Sequence, residues 1–230
     1  MILSHRYRFI FLKTNKTAGT SVEIALSKFC GPDDIITPIT EEDERLRTQL
    51  GHRGPQHHLA PWSDYRLRDY VKMITKPRRK LRFYNHMSAR EVRDRIDPGV
   101  WDRSFRFCIE RNPWDRVVSL YHWQHRAEPK PSFSEFVHSD APLILKRRGL
   151  DLYTIDGASV VDRVCRFECL ADDLEGVRTH LGIPEPLALP QAKSRFRKER
   201  QGYREAYGAA ERDRVASLFA DEIRLAGYEF

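Results

Sequence analysis

Cysteine is scarce in this 230-residue chain: Cys30, Cys108, Cys165 and Cys169 stand at irregular intervals. No disulfide framework is legible, and Cys165 with Cys169 lacks the second Cys or His pair that a zinc finger needs. Reduced, structural thiols are expected. Long apolar runs are missing too, since no stretch approaches the roughly 18 residues of a membrane span. No apolar leader precedes the strand-like residues 7–12, so a cytoplasmic protein is expected. Repeats and low-complexity tracts are absent, which excludes solenoids and disordered linkers.

What is present is charge. Charged residues make up 32% of the chain, hydrophobic residues 40%, and the net charge is +7. A soluble globular protein with an anionic partner fits that balance. The basic run from Lys76 to Arg82 is either a solvated loop or a hold on an anionic acceptor. No helix-turn-helix, zinc-finger or RRM signature surrounds it, which argues against nucleic acid.

Hydrophobic patterning gives two strand–loop–helix units. Residues 7–12 (Tyr-Arg-Phe-Ile-Phe-Leu) read as a buried strand, and Val22, Ala25, Leu26 and Phe29 follow at helical spacing until Gly31-Pro32. Phe105 to Ile109 is a second buried strand, running into Asn112-Pro113 as N-cap and first helical residue. Ser88-Ala-Arg-Glu91 spells a capping box. A helix is expected over 62–74, a short one over 132–137, a strand or hairpin over 160–167, a helix over 170–181 and a last one over 209–226. Residues 31–83 otherwise read as an excursion. The pattern predicts one α/β domain over 1–230 with a central parallel sheet flanked by helices.

The first loop, Lys13-Thr-Asn-Lys16-Thr17-Ala18-Gly19-Thr20-Ser21, holds what a phosphate or sulfate ester needs. Backbone amides at a helix start point at an anion, Gly19 and Ala18 permit close approach, Thr17, Thr20 and Ser21 offer hydroxyls, and Lys16 offers charge. A Walker P-loop would place its Lys directly after the last Gly, whereas Lys16 precedes Gly19 by three residues. The loop is P-loop-like in position and not in spelling.

Phe-Leu-Lys-Thr-Asn-Lys-Thr-Ala-Gly-Thr-Ser resembles the 5′-phosphosulfate loop of the sulfotransferase superfamily, departing from the usual spelling at Asn15 and Ala18. Arg111-Asn-Pro-Trp-Asp-Arg116-Val-Val-Ser119-Leu-Tyr121 resembles that superfamily's 3′-phosphate motif. The local spelling is nearest the carbohydrate-type enzymes of sulfotransferase family 2. The resemblance implies a P-loop-like three-layer fold and PAPS (3′-phosphoadenosine 5′-phosphosulfate) as donor, leaving as PAP (adenosine 3′,5′-bisphosphate), with no metal. It implies that Lys16 to Ser21 hold the 5′ end, that Lys16 stabilises the leaving oxygen, and that Arg111, Ser119 and Arg195 contact the 3′-phosphate.

His86 is the candidate base, because the adjoining helix start disfavours imidazolium and the stretch resembles a family element upstream of the second motif. His57 and His58 are alternatives, in the variable 31–83 stretch that would contribute to the acceptor site. Arg116 is expected to pair with Asp115 or Glu110. The acceptor is expected to be a hydroxyl, on a carbohydrate or an anionic glycan. Two other classes fit the first loop alone: a nucleotide or small-molecule kinase, and a non-enzymatic polyanion-binding module.

Overall fold

The computed structural model describes residues 1–75, 79–190 and 202–230. Its centre is a five-stranded sheet built from β1 (Ile2–Ser4), β2 (Phe9–Leu12), β3 (Ile35–Ile36), β4 (Phe105–Glu110) and, later in the chain, β7 (Arg163–Arg166), in the order β3-β1-β2-β4-β7. β2, β4 and β7 are parallel, with Phe11 opposite Phe107 and Ile109 opposite Cys165. β1 is antiparallel to both β2 and β3. The sheet is therefore mixed, not wholly parallel as expected. The hairpin that makes it so turns at residues 5–8, and the strand expected over 7–12 begins only at Phe9. The 31–83 stretch is also more than an insert, because it supplies β3.

Alternation along the strands sets the layers. Phe9, Phe11, Phe107 and Ile109 face one side, where α1 (Gly19–Ser27) adds Val22 and Leu26, and α9 (Leu170–Leu181) adds Leu174 and Val177. Ile10, Leu12 and Cys108 face the other, against Ala89 and Val92 of α4 (Ala89–Arg93) and Trp101 of α5 (Pro98–Arg103). Ile155 joins there from the small β5–β6 hairpin (Thr154–Ile155, Ala158–Ser159), with Tyr153 just before it. A third cluster packs α6 (Pro113–Gln124) and α7 (Phe133–His138) against α10 (Ala209–Leu218) and α11 (Ala220–Ala226), with Leu145 of α8 (Leu143–Lys146). Two further α-helices among the described residues are α2 (Glu41–Gln49) and α3 (Leu67–Thr75).

Local signals match the helix starts. Ser88 makes the full capping box with Glu91, and the Asn112 side chain accepts from the Trp114 amide. The last helix, expected to be continuous, breaks at Phe219, whose buried ring lies 5.0 Å beneath the Arg116 guanidinium. Arg116 also reaches Glu110 at 3.3 Å and Glu222 at 3.6 Å, all three side chains being buried. That is the structural role expected of it, with Glu110 and not Asp115 as the partner. Burial pushes the Glu110 carboxyl above the usual carboxylate range, and Arg116 opposes the shift.

Candidate active site

Parallel β2 and β4 both end at one edge of the sheet, and each hands the chain to a helix there. Residues 13–18 link β2 to α1, and Arg111-Asn112 link β4 to α6. The open ends of α/β strands are where such folds bind ligands.

The first loop is shaped from inside. The Thr14 hydroxyl bonds the Ile109 carbonyl of β4 and lies 2.8 Å from the Thr17 hydroxyl. Thr17 is thereby turned into the protein, where it shapes the loop. Lys16 and Ala18 both adopt left-handed backbone, φ 61° and 60°, which leaves Ala18 as N-cap of α1 with no side-chain cap over the first-turn amides. Those amides carry the positive end of the helix dipole. Thr20 and Ser21 are buried in the first turn, half-buried Lys16 arches outward, and its ammonium lies 5.0 Å over the Trp123 ring.

Below the loop, Lys13 and Glu23 form a buried pair at 2.6 Å, joined by the Thr37 hydroxyl at 3.1 Å and the Met1 amine. Burial alone would raise the Glu23 carboxyl, but Lys13 and the amine outweigh it and hold the group at about 2. Gly19 is needed here. A Cβ at residue 19 would stand 2.8 Å from Lys13 Cγ, in the stem of that buried side chain. Gly19→Ala is expected to lower stability by about 1–3 kcal/mol, through overpacking that displaces Lys13. Urea unfolding of the variant checks this.

The second loop meets the first through Arg111. Its guanidinium takes Asp115 at 2.8 Å (Nε) and 2.7 Å (Nη2), and Nη1 donates to the Lys16 carbonyl at 3.1 Å. Phe167 backs the planar group, 4.0 Å away. The two motifs, 95 residues apart in sequence, are thus in contact. Asp115, Ser119 and Trp123 follow one another at i, i+4 and i+8, on one stripe of α6. Asp115 holds Arg111 and Trp123 lies under Lys16, so half-buried Ser119 sits between them on the side of the first loop. Asn112 is fixed by Glu168, whose carboxylate accepts from its backbone amide at 2.7 Å.

His86 comes to the head of the first loop, with Nδ1 3.1 Å from the Lys13 carbonyl. A carbonyl only accepts, so Nδ1 carries the proton and Nε2 keeps its lone pair. Its pKa is depressed to about 3, by burial first and then by the charges of Lys13 and the Met1 amine. The cause expected from sequence, the α4 start, gives way to those. In the unfolded chain the imidazole titrates near 6.5, so between pH 6.5 and 3 the unfolded state binds the extra proton. Stability carried by neutral His86 is complete above pH 6.5 and falls as pH drops through that window. His86→Asn is expected to remove up to about 2 kcal/mol of the stability lost between pH 7 and 5, measured by urea unfolding at both values. The Glu23 contribution is lost lower, between pH 4.5 and 2.

His57 and His58 lie elsewhere. They line a cavity of about 680 Å³ with Arg79, Arg82 and Arg95, and no residue of either loop lines it. His57 is anchored through Nε2 to the Pro32 carbonyl at 2.8 Å. Arg195 lies outside the described residues. Sequence reasoning missed Trp123, whose contact with Lys16 spans the two motifs, and Lys13, whose buried partner Glu23 sits in α1 among apolar residues. A glutamate set between Val22 and Ile24 of that buried helix was the available signal.

No solved structure is significantly similar to the chain. An uncharacterised protein of Archaeoglobus fulgidus is 34% identical over 106 residues, 44% of this chain and 87% of that one. The model of the sulfotransferase family matches residues 1–226, a span that takes in both loops, the Arg111 link between them and His86. An uncapped helix start facing an arginine-anchored second loop thus occurs in a chain that belongs to the sulfotransferase family.

Proposed function

We propose that this sulfotransferase takes its sulfuryl group from PAPS, bound across the ends of β2 and β4, and passes it to a hydroxyl of a carbohydrate acceptor. The observation that carries this reading is the 3.1 Å bond from Arg111 to the Lys16 carbonyl, which sets the two family motifs side by side. A donor with phosphates at both 5′ and 3′ positions needs two anion sites at a fixed separation, and two loops tied together supply that.

In the proposed transfer the acceptor oxygen forms a bond to sulfur while the bond from sulfur to the bridging phosphate oxygen breaks. Lys16 neutralises charge on the departing phosphate, and the first-turn amides of α1 hold the 5′ end. Arg111, oriented by Asp115, and Ser119 face the 3′-phosphate, with Arg195 as a further contact. His86 receives the acceptor proton at Nε2. A conjugate acid of pKa about 3 is weak for that task, but the negative charge of a bound donor raises it, since charges of opposite sign favour imidazolium. His57 and His58, with the arginines of their cavity, are the acceptor-side candidates, and they suit an anionic glycan. The spelling nearest the carbohydrate-type enzymes supports a sugar hydroxyl.

The test is turnover. PAPS is incubated with the protein and a panel of sugar, lipid and phenolic hydroxyls, and release of PAP is followed. Acceptor-dependent release with a sugar is expected. Release only with phenols or lipids would overturn the acceptor assignment, and no release with any acceptor while ATP–Mg²⁺ is consumed would overturn the donor.

A further inference from the structure

Helix α3 turns apolar side chains away from the protein. Leu67, Tyr70, Val71 and Ile74 fall at i, i+3, i+4 and i+7, and are 82%, 45%, 57% and 84% exposed. That spacing ordinarily faces a core. Trp62, shortly before the helix, is 52% exposed beside them.

The helix is fastened at the Tyr70 margin of that face and at Asp69 on its opposite side. Trp62, Tyr65 and Tyr70 form a ring cluster with centroids 4.7, 5.4 and 6.4 Å apart. Lys80 Nζ reaches the Asp69 carboxylate at 3.0 Å and the Asp64 carbonyl at 2.9 Å. Arg79 lies 4.8 Å over Trp62, and the Lys80 carbonyl accepts the Ala60 amide at 2.9 Å. α3 is therefore fastened to neighbouring chain while its Leu67–Val71–Ile74 edge points outward.

The sequence that carries this edge is strongly basic. From Arg66 to Arg82 the sequence holds eight basic residues and one acidic one, Asp69, an excess of +7 that equals the net charge of the whole chain. Everything outside this segment balances to neutrality. An occupant must then be apolar beneath the helix and anionic around it. A bilayer with anionic headgroups has that profile, with acyl chains below, interfacial depth for Trp and Tyr, and negative charge at the level of the guanidinium groups. The apolar edge of one nine-residue helix is narrow and convex, which suits a deformable lipid surface. Among the described residues no helix is long and apolar enough to cross a membrane, so attachment by α3 would lie in the plane of the surface.

We propose that α3, with its flanking basic residues, docks on an anionic phospholipid surface, inserting Leu67, Val71 and Ile74 below the headgroups. The surface is separate from the Lys16–Arg111 site, so it stands or falls apart from the donor assignment. Arg79 also lines the His57–His58 cavity, so the docked helix and that cavity share a wall residue.

Co-sedimentation of the full chain with vesicles tests this. Vesicles containing about 30% phosphatidylserine are expected to bind it at least ~10-fold more tightly than phosphatidylcholine alone at low salt, and to release it as salt rises to about 0.3 M. Leu67→Ser with Ile74→Ser, and separately Arg66→Glu with Arg68→Glu, are each expected to weaken binding at least ~10-fold. Both double variants should keep the wild-type far-ultraviolet circular dichroism and melting temperature, which shows that they are folded. Equal binding to both vesicle types, or to neither, would overturn the proposal. So would lipid-free self-association by light scattering that the Leu67/Ile74 variant abolishes, because the edge would then be covered by a second copy.

Discussion

Lys16→Met is expected to lower PAPS turnover by about 10²- to 10³-fold, with a melting temperature no more than about 4 °C below wild type. In the proposed transfer Lys16 faces the departing phosphate, and its left-handed backbone is one that Met shares without added strain. One of its structural contacts is the Trp123 ring, a cation–π contact worth about 0.5–1 kcal/mol at an exposed site. A transition-state contact is worth several times that, so activity and stability should separate. PAP binding should weaken far less than turnover falls, because in the proposed transfer Lys16 acts on charge that develops as the phosphate departs. Steady-state kinetics with thermal melts of the same preparation check both halves. A fall in KM-linked binding with kcat unchanged would move Lys16 from catalysis to simple anchoring.

Arg111→Met is expected to cost about 3–5 kcal/mol of stability and to abolish PAP binding. Arg111 and Asp115 are a buried pair, with side chains 9% and 11% exposed. Removing the guanidinium leaves a buried carboxylate without its charge partner, and it also cuts the tie to the Lys16 carbonyl. Adding Asp115→Asn should recover more than half of the lost stability, because the uncompensated charge is gone. It should recover no PAP affinity, since neither side chain can then present a fork to phosphate. Urea unfolding and calorimetric titration of the three proteins complete the cycle. If the double variant regained both stability and binding, Arg111 would be only a strut for Asp115.

Much of this was legible in the sequence because the signals were local. A capping box needs four consecutive residues, and Ser88 to Glu91 spell it. Asn112-Pro113 announces a helix start in two, and Gly182 ends α9 in the left-handed conformation that glycine permits. The buried strands β2 and β4 were visible as dense aromatic and branched runs. Elements whose cause lies far away in sequence were not visible. Strand β1 has three residues and exists because Ile2 and Leu3 pair with both β2 and β3. Helix α2 carries Glu41-Glu-Asp-Glu-Arg with no apolar stripe, and its start rests on the Thr40 cap. The break at Phe219 coincides with a ring buried under Arg116, a residue more than a hundred positions earlier.

The site divides in the same way. Lys16, Gly19, Arg111 and Ser119 were legible as candidates by type and spacing, and the strand ends bring their loops together. Their couplings were hidden. Nothing in a linear reading says that Arg111 grips the Lys16 carbonyl, that Lys16 lies on Trp123, or that Gly19 makes room for the Lys13 stem. His86 lies at the head of the first loop, and the sequence showed only part of the reason for its neutrality, which comes first from burial and then from Lys13.

The central claim is that two tied loops read a 5′-phosphate and a 3′-phosphate on one nucleotide. Calorimetric titration of the wild-type chain with PAP, and in parallel with ADP, 5′-AMP and ATP–Mg²⁺, tests it most directly. The account predicts that PAP binds at least about 100-fold more tightly than 5′-AMP, the difference of a charge-assisted phosphate contact or two. Equal affinity for PAP and 5′-AMP, or tighter binding of ATP–Mg²⁺ than of PAP, would contradict it.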